Sequence, residues 1–353
     1  MQGRRPGGQR DRRDRLEDGV ARDQRRPVTI RVGQIGIAHS HAAGRVQAFL
    51  GNANVELVGV HEPLPSVRRE RGGHAAYAAV PWLNADELLG DATVAAVAIE
   101  TLPGENLRWA REALLAGKHV ILEKAPGLSL ADLDDLLALA AARQRVVQMG
   151  YQYRFNPAFQ FALRLARAGT LGRLWRVAGQ IAANLPGYTR DGDIQNYPCG
   201  IWFTLGGHLL DQPVLFLGPP KSVQTVLRRD NRPAEFDDNN LAVFEYDRAL
   251  ATIETWNLEA GENAAHRRFE LYGERGTVLI SPLEPPRVRV YLADPFEELA
   301  HGWQDVDVGW RPRYIGDLEH FVACIRGDAQ PLVDRAHDLA VQEALLRAAG
   351  VTL

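Results

Sequence analysis

The sequence predicts an α/β fold with two domains: a doubly wound parallel sheet covered by helices, then an α+β domain with a large, open, mainly antiparallel sheet. Strands and helices alternate from residue 28 to residue 150, which is the pattern of crossovers in a parallel sheet. From residue 174 onward, strand-like segments follow one another, as they do in an open sheet of mainly antiparallel strands. The length of 353 residues also exceeds that of one ordinary core.

The first half contains the predicted elements of the parallel sheet. Strand 92–99 is almost wholly apolar, as expected for a strand covered on both faces. Helix 129–143 has Ser129 at its N-cap position and Asp132 three residues later, which is a capping pattern. The predicted strands are 28–37, 55–60, 92–99, 119–122 and 146–150, and the predicted helices are 42–50, 105–116 and 129–143.

The second half contains more strands than helices. One helix, 157–168, separates it from the parallel sheet, and two helices, 315–326 and 334–349, end the chain. We assign the closing helix to the second domain, and its packing against the first domain is an open alternative. The predicted strands are 174–184, 221–229, 240–247, 250–258, 267–272 and 287–292.

Composition excludes several classes of protein. A net charge of −3 provides no basic surface for nucleic acid or an anionic membrane, and no apolar run reaches the ~18 residues of a membrane helix. Two cysteines cannot form a disulfide framework, so a reducing, cytoplasmic location is expected. Residues 1–27 are rich in arginine and nearly free of apolar side chains, which predicts a disordered tail. Acidic residues within this tail argue against a nucleic-acid-binding arm.

A dinucleotide site is predicted where the first strand ends. Residues 36–41 (Gly-Ile-Ala-His-Ser-His) connect that strand to a helix, and Glu62 follows the second strand. In such sites backbone N–H groups face the pyrophosphate, and the carboxylate accepts hydrogen bonds from ribose hydroxyls. Only Gly36 matches the usual G-x-G-x-x-G/A pattern, because Ala38 and His41 occupy the other two positions. An ordinary strand-to-helix turn is therefore the alternative interpretation.

Two further questions arise at this turn. Glu62 repels a 2′-phosphate, so NAD is favoured over NADP, although Arg68 and Arg69 keep NADP open as a second possibility. His39 and His41 are two imidazoles close in sequence, but no further Cys/His cluster supplies the remaining ligands. We therefore predict no metal.

One lysine occupies a position that suits acid–base chemistry. The chain has only three lysines among its 41 basic residues, and Lys124 lies in residues 123–126 (Glu-Lys-Ala-Pro), directly after an apolar strand. An arginine does not release its proton near neutral pH, whereas burial or a nearby positive charge lowers the pKa of a lysine enough for proton exchange. The position therefore indicates chemistry, with a purely compositional origin as the alternative.

The chain resembles the glucose–fructose oxidoreductase / inositol dehydrogenase (Gfo/Idh/MocA) family in motifs spread from residue 28 to its end. The order and spacing of these motifs are more specific than any one of them. The matching segments are 116–126, similar to A-G-K-H-V-x-x-E-K-P; 151–157, similar to Y-x-x-R-F-N-P; 169–172, similar to G-x-L-G; 206–220, similar to G-x-H-x-x-D…G-x-P; and 238–240, 273–276 and 337–343.

The resemblance implies a Rossmann domain over residues 28–150 and a substrate-binding and oligomerisation domain over 151–353. It makes Lys124 the group that accepts the substrate proton, or the group that orients the hydroxyl, together with His208. The family has a D-x-x-x-H element here, and Thr204 stands at the aspartate position, four residues before His208 on the same helical face. A threonine hydroxyl stabilises a charged imidazole less than a carboxylate does, so a weaker His208 base is expected.

Binding residues are expected on both domains. The cofactor-binding set is Gly36, Ile37, Ala38, His39, Glu62, Thr101, Leu102, Pro103, Glu123, Lys124 and Gln152. The substrate-binding set is Lys124, Arg154, Tyr188, Trp202 and His208.

The leading hypothesis is an NAD-dependent dehydrogenase or reductase of a sugar, cyclic polyol or related compound, assembled as a homo-oligomer through the second sheet. Two alternatives stay open. The chain is an enzyme that retains NAD for a redox-assisted elimination or hydrolysis, or it is a catalytically weak sensor that binds the cofactor on the same fold.

Overall fold

The computed structural model describes residues 29–184, 199–230, 236–261 and 266–352. The predicted tail 1–27 and the predicted substrate residue Tyr188 lie outside the described residues. Within the described part, every helix is too short or too polar to cross a bilayer.

The first sheet has five strands, all parallel, in the order β2-β1-β3-β4-β5. This confirms the predicted doubly wound sheet. The third strand begins four residues later than expected because the Asp91 side chain accepts the backbone N–H of Thr93 at 2.8 Å and turns the chain. The strands are β1 Ile30–Ile35, β2 Val55–His61, β3 Ala96–Ile99, β4 His119–Leu122 and β5 Val147–Met149.

Helices connect these strands and cover the sheet. Helix α5 begins as predicted, with the Ser129 hydroxyl accepting the N–H of Asp132 at 3.1 Å. Two short helices after β2 were not predicted. The helices are α1 Ala42–Leu50, α2 Pro65–Arg71, α3 Ala85–Gly90, α4 Pro103–Leu115 and α5 Leu130–Ala142.

The second sheet has eight strands in the order β13-β12-β11-β10-β6-β9-β8-β7. Its neighbours are antiparallel except for the central pair β6 and β9. The strands are β6 Leu174–Ala182, β7 Ser222–Arg228, β8 Asn239–Glu245, β9 Leu250–Trp256, β10 Arg268–Gly273, β11 Gly276–Leu283, β12 Pro286–Leu292 and β13 Gly302–Val306.

Alternate residues of this sheet are buried against helices, whereas the opposite face is only partly covered. The covering helices are α6 Pro157–Arg167, α7 Gly207–Leu217 and α9 Arg335–Ala348. One π-helical turn, Trp202–Gly206, runs directly into α7. This turn places residues of the second domain opposite the end of β4.

The end of the chain returns to the first domain. Helix α8, Ile315–Arg326, packs Leu318 and Phe321 into the same buried cluster as Ile30 of β1. Helix α9 contacts the loop after β4, where the Gln342 side chain donates to the carbonyl of Gly127 at 2.7 Å. Both domains are therefore tied together around one cleft.

Candidate functional site

The turn after β1 requires a glycine. Gly36 has φ +95°, and a Cβ atom there would lie 2.6 Å from the carbonyl carbon and oxygen of Glu100. The amide of Gln34, buried on β1, donates to the carbonyls of Gly36 at 3.1 Å and Ala42 at 3.3 Å. The backbone is therefore held in the conformation that a close approach to a dinucleotide needs.

Glu62 lies at the end of β2 and connects it to this turn. One carboxylate oxygen accepts the N–H of Ile37 at 2.6 Å, and the other accepts the N–H of Leu64 at 2.8 Å. Burial raises the pKa of Glu62, and these two amides oppose the rise. Each oxygen keeps a second lone pair for a ribose hydroxyl.

The arginine that reaches the turn differs from the two considered in the sequence. Arg71 donates to the carbonyl of Ala38. Arg68 instead stacks on Trp82, with its guanidinium carbon 4.4 Å from the ring centroid.

Lys124 lies at the end of β4, inside the cleft between the domains. Its side chain is 2% exposed, its Nζ donates to the backbone carbonyl of Thr204 at 3.0 Å, and the nearest oxygen of Glu123 is 3.8 Å away. Burial lowers the pKa of Lys124, and the charges of Glu123 and Glu100 partly oppose this. The geometry therefore provides a buried amine that releases its proton more readily than a free lysine does.

Glu123 lies at the centre of the polar cluster. Its Oε1 is 3.0 Å from Nδ1 of His41 and 3.7 Å from Nδ1 of His39. Burial lowers the pKa of both histidines well below the ordinary value, so both rings are neutral at physiological pH. The Oε2 atom is buried and has no hydrogen-bond partner within the described part of the chain. It offers an acceptor to a bound hydroxyl or amide, which fits the presence of a cofactor here.

The same three side chains form a group with metal-ligand geometry. The donor atoms of His39, His41 and Glu123 lie within 4.8 Å of one another. Nothing in the sequence indicates that Glu123 joins the two histidines, so the reason for predicting no metal, the lack of a further ligand, is corrected. The Lys124 amine, close to the same carboxylate oxygen, already provides a cationic partner for this carboxylate, and we propose no metal.

The expected pairing of Thr204 with His208 is wrong. The Thr204 hydroxyl donates to the carbonyl of Gly200 at 3.1 Å, and Nδ1 of His208 is buried without a hydrogen-bond partner among the described residues. Threonine side chains within helices often bond back to the carbonyl four residues earlier, and this bond occupies the hydroxyl that the pair with His208 needs. The His208 ring instead lies 5.4 Å from the His41 ring.

Two predicted substrate residues have structural partners instead. Arg154 is buried, and its guanidinium donates to Asp211 at 2.6 Å and Asp338 at 2.5 Å. Trp202 is fully buried, and its indole N–H donates to the carbonyl of Leu345 at 3.2 Å. Neither side chain is available to a sugar, and both predictions are corrected.

The turn after β3 is connected to Glu123 through a residue that the sequence did not reveal. The Thr101 hydroxyl donates to the side-chain oxygen of Asn106 at 2.7 Å, and the amide of Asn106 donates to the carbonyl of Glu123 at 3.3 Å. Leu102 is the N-cap residue of α4 and Pro103 its first residue. No motif in the sequence marks Asn106 as a buried residue that connects these two strand ends.

Arg45 was also missed, although the sequence contains a signal for it. This arginine lies on the buried face of α1 and pairs with Glu100 at 3.1 Å and Asp317 at 2.5 Å. A charged residue among the apolar positions of a helix predicts a buried partner.

Comparison with known proteins agrees with this architecture. A family model described as "Oxidoreductase family, NAD-binding Rossmann fold" matches residues 30–151, and the GFO/IDH/MocA C-terminal domain matches residues 159–279. The chain belongs to the Gfo/Idh/MocA family. It is thus an NAD-binding oxidoreductase of that family, as predicted.

Relatives of this family member include dehydrogenases of different substrates. It is 26% identical to scyllo-inositol 2-dehydrogenase (NAD(+)) of Bacillus subtilis over 332 residues, which is 88% of this chain and 89% of the relative. It is 27% identical to the uncharacterized oxidoreductase YdgJ of Escherichia coli over 78% of this chain and 79% of the relative. Among solved structures, UDP-N-acetylglucosamine 3-dehydrogenase from Acidithiobacillus ferrooxidans superposes with a TM-score of 0.73 at 21% identity, covering 92% of this chain and 98% of the other.

Proposed function

We propose that this Gfo/Idh/MocA member is an NAD-dependent dehydrogenase or reductase of a carbinol in a sugar, cyclic polyol or related compound, with Lys124 handling the proton. The supporting observation is the buried amine of Lys124 at the end of β4, on the side of the cleft that faces the second domain. Its relatives include dehydrogenases of an inositol and of a nucleotide sugar, which are both carbinol substrates.

The residues of the chain have distinct roles in this proposal. Gly36, Glu62 and the 101–103 turn would hold NAD, which supplies the hydride acceptor or donor when bound. Lys124 takes the hydroxyl proton as the carbinol becomes a carbonyl, and it returns that proton in the reverse direction. Glu123 and the carbonyl of Thr204 hold the amine in place. His208 faces the same space and would contact a substrate hydroxyl.

The second domain would bind substrate and form the oligomer. The partly covered face of its sheet exposes apolar side chains on separate strands, including Leu241 at 37% and Trp303 at 50%. Such surface is typical of an interface between subunits. We also propose that residues 28–150 form the cofactor-binding domain, that residues 151–353 form the second domain, and that the protein is cytoplasmic.

The test is a screen of purified protein with NAD and NADP against inositols, aldoses and sugar acids, monitored by absorbance of the reduced cofactor. We expect turnover with NAD and a weaker response with NADP. Thermal unfolding with each cofactor provides the binding control. The absence of any shift in the unfolding temperature with either cofactor would contradict the proposal.

One observation favours a second candidate function. Among the residues that the structure describes, no carboxylate bonds to Nδ1 of His208, so this histidine lacks the aspartate partner of the family's D-x-x-x-H element. An enzyme that retains NAD for redox-assisted elimination or hydrolysis would not need a fast external proton relay. NAD bound through purification, with product formed and no net release of NADH, would identify this activity. A cofactor-binding sensor would instead show cofactor binding and no turnover.

A further inference from the structure

A pair of arginines lies in the cleft beyond the lysine and histidines. Arg267 directly precedes β10, Arg313 lies just before α8, and both guanidinium groups meet at Glu284 in the turn between β11 and β12. Arg313 makes a two-pronged ion pair with Glu284, its Nε donating at 2.6 Å, and Nη1 of Arg267 lies 3.4 Å from the same carboxylate. Three segments that are distant in sequence thus bring two positive charges and one negative charge together.

These charges are close to the reacting groups. The Tyr153 ring lies 5.9 Å from the His208 ring, and burial, with the charge of Glu284, raises the pKa of the Tyr153 hydroxyl to about 12. Burial chiefly lowers the pKa of His208, and the positive charges of Lys124, Arg313 and Arg267 lower it further. Tyr153 therefore lies between His208 and the arginine pair, within one cleft.

A cavity opens beside Arg313. Tyr153, Glu284, Gln152 and Tyr314 are among its other lining residues. The side-chain oxygen of Gln152 is buried without a hydrogen-bond partner among the described residues. A buried polar atom of this kind is normally satisfied, so a polar ligand is expected to contact it.

The charges in this cluster do not balance. Arg267 and Arg313 contribute two positive charges against the single negative charge of Glu284. Within the described residues, Arg313 uses Nε and Nη2 in its hydrogen bonds to Glu284, and its side chain is still 35% exposed. The N–H groups of a guanidinium that are not used within the protein can donate hydrogen bonds to a carboxylate or a phosphate.

We propose that the substrate contains an anionic group, a carboxylate or a phosphate, which Arg313 and Arg267 bind while its reacting carbinol lies at Lys124 and His208. Sugar acids and sugar phosphates are the substrate classes with this arrangement. The one surplus positive charge favours a singly charged carboxylate. This inference rests on the proposed function for the position of the carbinol, but not for the binding of the anion.

Binding to the full chain in the presence of NADH tests this proposal. The probes are D-glucuronate, D-glucose 6-phosphate and D-glucose, each titrated by calorimetry at low and moderate salt. We expect the anionic sugars to bind at least 10-fold more tightly than glucose, with glucuronate weakened by added salt. Tighter binding of the phosphate than of glucuronate would identify a phosphate as the recognised group.

Variants separate the arginine site from a general effect on folding. Arg313→Gln should reduce the preference for glucuronate over glucose by about 10- to 100-fold, and Arg313→Lys should retain part of it. Arg164→Gln, at an exposed ion pair with Glu297, is the matched control and should retain all of it. The preference is a ratio within one protein sample, so partial loss of folded protein does not change it.

The contradicting outcomes are specific. Equal binding or no binding of all three sugars, or an unchanged preference in Arg313→Gln, would overturn the proposed anion site. Turnover of neutral polyols that is insensitive to Arg313→Gln would overturn it too, while leaving the dehydrogenase proposal intact. Failure to bind NAD would contradict the proposed function instead.

Discussion

Replacing Lys124 tests the proposed chemistry most directly. Its Nζ is buried, donates to the Thr204 carbonyl and lies beside Glu123, so Lys124→Ala removes the only amine described in the cleft. Loss of a positioned general base lowers kcat by about 10²- to 10⁴-fold, equivalent to roughly 3–5 kcal/mol of transition-state stabilisation. Lys124→Arg keeps the charge but cannot accept a proton, so it should be as inactive as the alanine variant.

The assay is steady-state reduction of NAD as a function of pH. Because only the uncharged amine accepts a proton, kcat/KM for oxidation should rise with pH and level off above the pKa of Lys124. Burial lowers that pKa, so the midpoint of the rise should lie below the 10.5 of a free lysine. Lys221→Ala, at an exposed ion pair with Asp247, is the control and should behave as the wild type. A kcat within threefold of wild type in Lys124→Arg would refute the reasoning.

Three further predictions concern the cofactor, the core and the oligomer. Glu62→Ala removes the carboxylate that accepts hydrogen bonds from the ribose, so NAD should bind about 10-fold more weakly in a fluorescence titration. The ratio of NAD affinity to NADP affinity should also fall, and an unchanged ratio would contradict this prediction. Arg45→Met leaves the carboxylates of Glu100 and Asp317 without their buried ion-pair partner. The free energy of unfolding, measured by urea denaturation, should fall by about 3–5 kcal/mol. A loss below about 1 kcal/mol would show that these carboxylates form ion pairs or hydrogen bonds with other groups. Leu241→Glu, on the partly covered face of the second sheet, should lower the mass measured by light scattering toward that of the monomer, whereas Leu50→Glu, which is exposed on α1, should not. Equal masses for the two variants would exclude that face as the interface between subunits.

The fold was predictable wherever hydrophobic periodicity was strong. Helix α1 and strand β4 begin and end where the pattern indicates, and the alternation of the first half correctly predicts a parallel sheet. Strand β11 was missed because Pro282 interrupts its pattern, and the structure accommodates that residue at a shift in register. Strand β13 was missed because it lies at the sheet edge and buries little, so it has no apolar alternation to detect.

The candidate site was predictable only in part. Gly36, Glu62 and Lys124 follow strands of one parallel sheet, whose carboxyl ends meet at one edge, so their proximity follows from topology. The expected pairing of Thr204 with His208 fails because the Thr204 hydroxyl bonds to the carbonyl of Gly200 instead, and the sequence does not reveal which acceptor this hydroxyl uses. Trp202 and Arg154 were misassigned for another reason. Whether an aromatic ring or a guanidinium faces a cleft or a core depends on the packing of α7 against α9, which one sequence does not reveal.

Thr204 and His41 both depart from the family pattern, and both lie in the cleft near Lys124. Together they indicate how this site compensates for the absence of the aspartate of the D-x-x-x-H element. Thr204 cannot supply a carboxylate, and its hydroxyl is bonded to Gly200. His41, at the position where the dinucleotide turn usually has a small residue, bonds to Glu123 and lies against His208. The carboxylate that orients an imidazole in this cleft is therefore Glu123, and the imidazole that it orients is His41. The proposed acid–base cluster would thus be built mainly from the first domain, with the second domain contributing the backbone carbonyl of Thr204 and the ring of His208.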